Sequence, residues 1–543
     1  INGTLNASQG KNQTFRSLDI NSGGTYHEPA DTTKITSENS LGSAVDCDGT
    51  YVGNGGYLLI NTNQLDTNID LKCVSGSAHD LEIDLTNTGY DATVSGAGTG
   101  GLYLTGDLII DDGELDTDNH IVNITGELWI QAGGYFDTRG DTVAHEFGAI
   151  DLDSSGYFYE GDGKIIIDSE ASSYAIDCDG YWVDDASTTS IETNTNTAMD
   201  IYCQTTGYRL TNLDIKLGSS AYEVTTTTTM YIGKTLTIKE GALDTSVGYF
   251  GTHEPIIVIE DGGFLDLASN NNGINVESVD IQSGGSFTGP NNIISINASS
   301  GTCWNNAGTF TAASASTVEF DGGCTVVTGG TGTGNDFANV QFDGGTTTLS
   351  TNGIDVDGWL LLNGGSFDAN GQAVTVVGDT NVTSGTLTGG AGAMTFGSLT
   401  IASGQTYSAT SGTTTITSEA TSGYAISHLS GGTLTANSGI INVTTSATTS
   451  LDFSGTGNPY TIEVTGGTKV WQQNTALDGN LTVSSGTFRA NSAAKTLTVT
   501  GDVDVTGTLG GGSQTAANSF GSLTINSGGT YEATSGTTTI TSK

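Results

Sequence analysis

Positively charged residues are scarce in this chain of 543 residues, which contains 14 Lys and Arg against 59 Asp and Glu. A nucleic-acid partner requires a basic footprint for the phosphate backbone, so a formal net charge of −45 argues against that class of function. The charge argues equally against binding to an anionic membrane surface. The excess of carboxylates keeps the chain soluble and makes divalent cations the ligands to expect.

Long hydrophobic runs are also missing, and none approaches the roughly 20 residues that a transmembrane helix needs. Hydrophobic residues make up 35% of the chain, below the roughly 45–50% that is usual in globular proteins. Proline is rare, with 4 residues, and the 80 glycines lack the three-residue period of collagen. The composition therefore predicts a thin core, to which each short strand contributes one or two inward apolar side chains.

A strand-and-turn block recurs five times along the sequence. It reads FRSLDINSGGTY from Phe15, FGAIDLDSSGYF from Phe147, VESVDIQSGGSF from Val276, FGSLTIASGQTY from Phe396 and FGSLTINSGGTY from Phe520. The spacing predicts tandem modules of roughly 125 residues. Residues 15–146, 147–275, 276–395 and 396–519 form four modules, while residues 1–14 end a preceding module and residues 520–543 begin a fifth.

A finer period of about 21 residues lies inside the modules. Gly is followed within two residues by Leu or an aromatic residue at regular spacing, for example at Phe367, Leu387 and Tyr407. Short strands of alternating polarity separate these turns, and helical periodicity is missing, a pattern typical of solenoid coils. The predicted fold class is all-β, a right-handed parallel β-solenoid with about 21 residues per coil.

The six cysteines fall into three sequential pairs whose members lie close to one coil apart. Residues one coil apart in register have Cα atoms about 5 Å apart, which suits disulfide geometry. A zinc site would need clustered CxxC spacing, and the sequence has none. We predict coil-stapling disulfides, and with them an oxidising, extracellular setting. The predicted pairs are Cys47 with Cys73, Cys178 with Cys203, and Cys303 with Cys324.

Acidic turns are the candidate ligand sites. Two carboxylates and the carbonyls of a turn can bind Ca²⁺, which takes oxygen ligands. Asp also suits tight turns and solvated faces without an ion, and the sequence has no EF-hand loop or nonapeptide calcium repeat. We expect no cofactor, with calcium as the alternative. Its candidate ligands are Asp46, Asp48, Asp177, Asp179, Asp355, Asp357, Asp111 and Asp112.

Other short motifs have ordinary explanations in so biased a composition. Arg139-Gly140-Asp141 spells the integrin-binding tripeptide, which arises easily by chance in a chain rich in Gly and Asp. Sequons for N-glycosylation are frequent because Asn, Ser and Thr are abundant. The candidate glycosylation sites are Asn2, Asn6, Asn12, Asn123, Asn297, Asn381, Asn442 and Asn480.

Four runs of threonine invite comparison with an ice-binding face. Such a face needs Thr in the same phase on every coil, whereas these runs recur sparsely, so the ordinary role of Thr on a solvated β-face is favoured. The runs are Thr225–Thr229, Thr346–Thr348, Thr413–Thr415 and Thr537–Thr539.

Catalysis has little support in the sequence, and we do not expect an enzyme. The six His are scattered without a repeated partner, and no strand clusters acids with bases. Paired Asp residues on neighbouring coils could still perform hydrolytic acid–base chemistry on a glycan. A polysaccharide-degrading β-helix therefore stays as an alternative.

Blocks such as GSLTINSGGTYEATSGTTTITS and NLTVSSGTFRANSAAKTLTVTGDVDVTGTLGGG resemble the repeats of giant surface proteins with right-handed parallel β-helices. These include filamentous-haemagglutinin-like adhesins and the surface-filament repeats of microbes and viruses. The resemblance implies an exported, elongated scaffold at the cell surface and assigns no functional residue.

The leading hypothesis is an extracellular structural repeat protein that forms a rod, filament, stalk or surface layer on a microbial cell. Its expected partners are copies of itself, a cell surface or glycans. The alternative is an adhesin or the shaft of a viral tail or receptor-binding fibre.

The two chain ends also carry an expectation. The sequence begins at Ile1 without an initiator Met or a signal peptide, which indicates a mature or excerpted piece. Neither end has an atypical capping repeat, although open strand edges normally need one. We therefore expect either that the chain continues beyond this segment or that copies stack end to end.

Overall fold

The computed structural model describes residues 1–542 except residues 65, 74–75, 97–100, 169–173, 184–186, 202–209, 227, 246–253, 331–335 and 511–513. Within these residues every regular element is a β-strand, and there is no helix. Parallel strands stack as a β-solenoid of about 23 turns, spaced by about 22 residues. The predicted all-β parallel solenoid is confirmed.

The strands are short and follow one another with few residues between them. In the first half of the chain they are β1 (Thr4–Asn6), β2 (Gln13–Phe15), β3 (Leu18–Ile20), β4 (Thr25–His27), β5 (Thr32–Ile35), β6 (Ser43–Cys47), β7 (Thr50–Val52), β8 (Tyr57–Ile60), β9 (Asp66–Ile69), β10 (Asp80–Asp84), β11 (Asp91–Val94), β12 (Gly101–Leu104), β13 (Leu108–Asp116), β14 (Ile121–Ile130), β15 (Gly134–Asp137), β16 (His145–Leu152), β17 (Tyr157–Tyr159), β18 (Ile165–Ile167), β19 (Tyr174–Cys178), β20 (Tyr181–Val183), β21 (Thr188–Ile191), β22 (Thr197–Asp200), β23 (Leu210–Lys216), β24 (Glu223–Thr226), β25 (Ile232–Asp244), β26 (Ile256–Ile259) and β27 (Gly263–Asp266).

The remaining strands continue the same pattern. They are β28 (Ile274–Val276), β29 (Ser278–Ile281), β30 (Ser286–Thr288), β31 (Ile293–Ile296), β32 (Thr302–Asn306), β33 (Thr309–Thr311), β34 (Thr317–Phe320), β35 (Thr325–Val327), β36 (Asn339–Phe342), β37 (Thr346–Thr351), β38 (Ile354–Val356), β39 (Leu360–Leu362), β40 (Ser366–Asp368), β41 (Val374–Val382), β42 (Thr386–Thr388), β43 (Met394–Ile401), β44 (Thr406–Ser408), β45 (Thr413–Ile416), β46 (Tyr424–His428), β47 (Thr433–Thr435), β48 (Ile440–Val443), β49 (Thr448–Phe453), β50 (Thr461–Trp471), β51 (Thr475–Leu477), β52 (Leu481–Ala490), β53 (Leu497–Val505), β54 (Thr508–Leu509), β55 (Asn518–Ile525), β56 (Thr530–Tyr531) and β57 (Thr538–Ile540).

The chain divides into two compact units. One comprises Ile1–Asn270 with Gly284–Phe287, and the other comprises Asn271–Ser283 with Thr288–Lys543. Within each unit, strands pair in parallel with strands of the neighbouring coil. The module boundaries at residues 147, 276 and 396 stay a prediction.

The alternation of polar and apolar residues decides which side chains enter the core. In β10, Leu81 and Ile83 are fully buried while the flanking acids face outward. Leu81 pairs with Leu108 of β13, and Leu108 pairs with Leu128 of β14. Like side chains therefore stack on like side chains from coil to coil, and this column supplies the thin core that the composition predicts.

A repeated hydrogen bond fixes the inward tyrosine of the recurring block. Burying a phenol is costly unless its hydroxyl has a partner. A threonine hydroxyl seven residues later provides this partner at 2.7 Å, at the same position after Phe15, Phe396 and Phe520. The pairs are Tyr26 with Thr33, Tyr407 with Thr414, and Tyr531 with Thr538.

Candidate functional site

Two columns of aspartate on the outer face of the first unit collect several candidate calcium ligands. Asp19 of β3 pairs with Asp46 of β6. Farther along the chain, Asp151, Asp177 and Asp200 pair in succession through β16, β19 and β22. We call these two columns the acidic ladders. Their strands are about 4.8 Å apart, so like charges face one another across each step.

Burial and the charges of neighbouring acids raise the pKa values of ladder members. Burial, followed by the charges of Glu127 and Asp153, raises the pKa of Asp151 to about 7. Burial and the charge of Asp200 raise the pKa of Asp177. The second predicted acid of each turn, Asp48 or Asp179, adds to the repulsion on its ladder. The ladders therefore favour a proton or a bound cation over full ionisation.

Asp111 belongs to a separate cluster that the sequence predicts only in part. Its carboxylate oxygen and those of Glu82 and Asp84 all lie within 4.8 Å of one another. Burial, then the charges of Asp84 and Asp112, raises the pKa of Asp111. Asp112 itself pairs with Asp84 where β10 and β13 lie side by side. Glu82 and Asp84 were missed because they lie one coil away, although both occupy outward positions of a clearly alternating strand.

A second three-carboxylate cluster contains none of the candidate residues. Glu319, Asp321 and Asp343 present oxygens within 4.8 Å of one another. The Gln341 amide donates to Glu319 at 2.9 Å and to Asp343 at 2.8 Å. A hydrogen bond with Asp343, together with burial, raises the pKa of Glu319 to about 8. Despite burial, that bond and the Gln341 bond lower the pKa of Asp343. The pair thus holds one proton at neutral pH.

Asp355 and Asp357 lie near a third acid, Asp336. Burial, then the charges of Asp336 and Asp357, raises the pKa of Asp355. Asp336 and Asp357 line a surface depression of about 400 Å³ whose wall includes Phe310. The structure therefore brings these carboxylates together in one place without a basic partner among the residues that line the depression.

The donor chemistry of these clusters fits a hard cation. Ca²⁺ takes 6–8 oxygen ligands, of which two or three carboxylates supply a minority, and water would complete the shell. Such partial sites bind weakly compared with a complete protein cage. The sets of acids could hold Ca²⁺ or exchange it.

A stack of three tyrosines lies next to Glu114 on the first unit. Glu114 of β13 pairs with Tyr135 of β15, and Tyr135, Tyr157 and Tyr181 then stack in succession. Their ring centroids are 4.9 Å and 4.5 Å apart. The Arg139 guanidinium lies 4.2 Å from the ring centroid of Tyr159. These stacked rings are half-buried. The period of about 21 residues includes Tyr135 and Tyr157, but it did not show that the rings stack.

The Arg139-Gly140-Asp141 tripeptide cannot present its carboxylate to a receptor. Asp141 is only 2% exposed. It accepts hydrogen bonds from Thr117 and from the Asn119 backbone, and its carboxylate lies 3.1 Å from Nε2 of the buried His145. Arg139 is salt-bridged to Asp137. The integrin-type interpretation is therefore excluded by burial of its acidic residue.

Disulfides link neighbouring coils at two of the predicted pairs. The Cα atoms of Cys47 and Cys73 are 5.0 Å apart, and those of Cys303 and Cys324 are 5.8 Å apart. Cys178 is also disulfide-bonded, while Cys203 lies outside the described residues.

In the block from Phe396, histidine takes the place of the staple. His428 is fully buried at the position of Cys47 and Cys178, between Ile401 and Phe453 of the adjacent coils. A Cβ atom on Gly455 would lie 1.9 Å from the His428 Nε2. The ring therefore occupies space that is open only because residue 455 is glycine. At this position, packing of the His428 ring against Gly455 therefore replaces the disulfide that other blocks have.

The candidate glycosylation asparagines all have some exposure. Asn2, Asn6, Asn12 and Asn480 are exposed, and the other four are half-buried. Asn123, one of the half-buried residues, donates to Glu146 at 2.7 Å. Glycosylation at these residues stays a prediction.

No protein-family model matches the chain, no curated protein is significantly similar to it, and no solved structure matches it. Among the described residues, none of the elements is a helix of the length and hydropathy that crossing a membrane requires.

Proposed function

We propose that the chain is a structural repeat segment of an extracellular, cell-surface protein that builds a filament, stalk or surface layer. The observation that carries the proposal is the stacking of coil on coil in register, with a covalent staple between neighbouring coils. Such stacking buries backbone hydrogen bonds and apolar columns while every contact stays local. Disulfides persist in oxidising compartments, which supports an extracellular location.

The proposal gives the chain no catalytic role. Outward carboxylates recur along the chain at ladder positions, as Asp19 with Asp46 and Asp151 with Asp177 illustrate. A hydrolytic centre would instead need an acid and a base converging on one substrate position. Recurrence along the chain favours a role that is itself repetitive.

Divalent cations are the expected partners of this scaffold, and they link it to further copies of itself. A ladder of carboxylates on one copy repels the same ladder on another copy until a cation neutralises both. Calcium would then act as a bridge between copies and as a ligand that relieves repulsion within one copy.

Electron microscopy of the native material, with and without a calcium chelator, tests the proposal. We expect periodic fibres or lattices that contain this chain and that separate when the chelator is added. Assemblies that survive chelation would keep the structural role and contradict the calcium bridge. Short particles that project singly from a cell or virion would contradict self-assembly and favour the alternative.

That alternative is an adhesin or a fibre shaft, and the tyrosine stack is the observation that favours it. Tyr135, Tyr157 and Tyr181 place amphipathic side chains in a row beside Glu114. These tyrosines are half-buried, and tyrosine is a residue type enriched at binding interfaces. A glycan array probed with the wild-type chain and with Tyr157→Ser would test it, since a surface used for adhesion should lose its glycan signal in the variant.

A further inference from the structure

Five neighbouring strands of the second unit carry almost only hydroxyl side chains at their outward positions. They are β37, β40, β42, β44 and β47, which pair in parallel one after another. We call their outward residues the hydroxyl face. Its first row contains Thr346, Ser366, Thr386, Thr406 and Thr433, and its second row contains Thr348, Asp368, Thr388, Ser408 and Thr435.

The residue between the two rows fixes their orientation. In each strand it enters the core, and these five residues are at most 4% exposed. Because successive side chains of a strand point to opposite sides, both neighbours of each inward residue must face outward. The inward residues are Thr347, Phe367, Leu387, Tyr407 and Leu434.

The threonine hydroxyls of this face are not used by the protein itself. Across the part of the chain that the structure describes, no side-chain hydrogen bond is made by the seven threonines of the two rows. The two serines differ, since Ser366 accepts from the Thr386 backbone and Ser408 accepts from Asn437. Threonine is also stiff about χ1, so methyl and hydroxyl groups hold fixed directions.

The hydroxyl face is nearly uncharged on a strongly charged chain. Asp368 is the one ionisable residue of the ten in its two rows, whereas the formal charge of the whole chain is −45. The acidic ladders show that outward positions elsewhere carry carboxylates in succession. A neutral patch in this setting fits a neutral partner surface.

The spacing of the face is that of a two-dimensional lattice. Adjacent strands lie about 4.8 Å apart, and residues i and i+2 of one strand lie roughly 6.7 Å apart. The oxygen atoms on the prism face of hexagonal ice form a rectangular lattice with a short repeat close to the first spacing and a long repeat close to the second. We propose that the hydroxyl face binds the surface of an ice crystal.

The sequence alone does not identify this face. The four threonine runs contribute only Thr346 and Thr348 to its two rows. The residues that share a phase come from Thr-x-Thr and related triplets in successive strands, such as Thr386 with Thr388 and Thr433 with Thr435. Only the pairing of the strands shows that these triplets lie side by side on one face.

Partition of the intact chain into slowly growing ice tests the proposal. We expect the wild-type chain to enrich in the ice fraction, to slow ice recrystallisation and to shape ice crystals. Thr388→Lys should lower the affinity for ice by at least about tenfold, because the longer side chain holds neighbouring hydroxyls away from the lattice. Thr406→Lys should act in the same way.

Thr395→Lys is the matched control. Thr395 lies on β43, in the same coil as Thr388, and it faces outward in a different column, between Thr375 and Thr415. It is half-buried like Thr388 and adds the same charge on substitution. Equal circular dichroism and thermal midpoints for the variants would show that each one folds.

Three outcomes would overturn the proposal. The first is a wild-type chain that stays in the liquid, and the second is a Thr395→Lys variant that loses ice affinity as fully as Thr388→Lys. The third is a Thr388→Lys variant that changes the sedimentation coefficient without changing partition into ice. That result would make the hydroxyl face an interface between copies of the chain.

Discussion

Single carboxylates in the acidic ladders determine how the molecule responds to pH. Asp151 illustrates this because burial, together with the charges of nearby acids such as Glu127 and Asp153, raises its pKa to about 7. A carboxyl with a raised pKa binds its proton more tightly in the folded state than in the unfolded chain. Its contribution to stability is therefore complete in acid and is lost as the pH rises through about 7.

We expect Asp151→Asn to stabilise the protein at pH 8 and to have little effect at pH 4. The gain should be about 1–2 kcal/mol, below the full linkage value, since solvent screens the partly exposed ladder. Urea unfolding in the presence of a chelator, monitored at both pH values, measures it. An equal effect at the two pH values would assign the change to packing and not to charge. Asp368→Asn, away from the ladders, is the control.

Gly455 determines whether His428 can stay in the core. A methyl group there would overlap the imidazole, since the Cβ position lies 1.9 Å from Nε2. We expect Gly455→Ala to lower the free energy of unfolding by about 1–3 kcal/mol, as overpacking usually does. Gly89→Ala, with no neighbour closer than 3.6 Å, should be nearly neutral. Combining Gly455→Ala with His428→Ala should restore part of the loss, and a double mutant with no such coupling would contradict the contact.

At the scale of elements, local sequence patterns predict the strands and the coils, but they do not predict which residues of neighbouring strands pair. The alternation in β10 indicates which side of the strand is buried. Coil length, however, varies. Leu81 pairs with Leu108 and Leu108 pairs with Leu128, so one coil exceeds the next by seven residues. A fixed period therefore could not show that Glu82 would meet Asp111, or that Glu319 would meet Asp343.

The cysteine pairs could be predicted because they depend on one coil at a time. Cys303 and Cys324 are 21 residues apart in sequence, so even an approximate period places them side by side. A loop of this size removes entropy from the unfolded chain, which is worth about 3 kcal/mol in the chain-entropy model.

We expect replacement of both Cys303 and Cys324 by Ser to lower the thermal midpoint of the coils around them. Limited proteolysis during heating localises the effect, because early cleavage should appear between residues 303 and 324. Reductant should produce the same early cleavage in the wild-type chain and should add nothing there in the variant. If the variant and the wild type melt alike without reductant, the staple contributes no stability.

At the scale of the whole molecule, net charge dominates the response to solution conditions. With 59 acids against 14 bases, ordinary salt screens repulsion, while a divalent cation can also bind the ladders and clusters. A ligand that binds only the folded state stabilises it in proportion to the logarithm of its concentration. Sites with Kd near 1 mM would contribute about 1.4 kcal/mol each at 10 mM Ca²⁺.

We therefore expect 10 mM CaCl₂, a concentration about tenfold above such a Kd, to raise the thermal midpoint more than NaCl of equal ionic strength. Differential scanning calorimetry measures the difference. Asp151→Asn combined with Asp177→Asn should reduce it. Equal midpoints in the two salts would mean that calcium only screens the carboxylates and does not bind them. That result would contradict the proposed calcium bridges between copies.

The link between Cys47 and Cys73 also has a mechanical consequence. A pulling force on the chain ends passes through the disulfide, so the 26-residue separation between these cysteines is withheld from extension. That segment could otherwise lengthen by on the order of 90 Å, at roughly 3.5 Å per residue. Under tension, each disulfide would prevent the segment that it encloses from unfolding into an extended chain. Chemical reduction would make the molecule longer and more extensible under the same force.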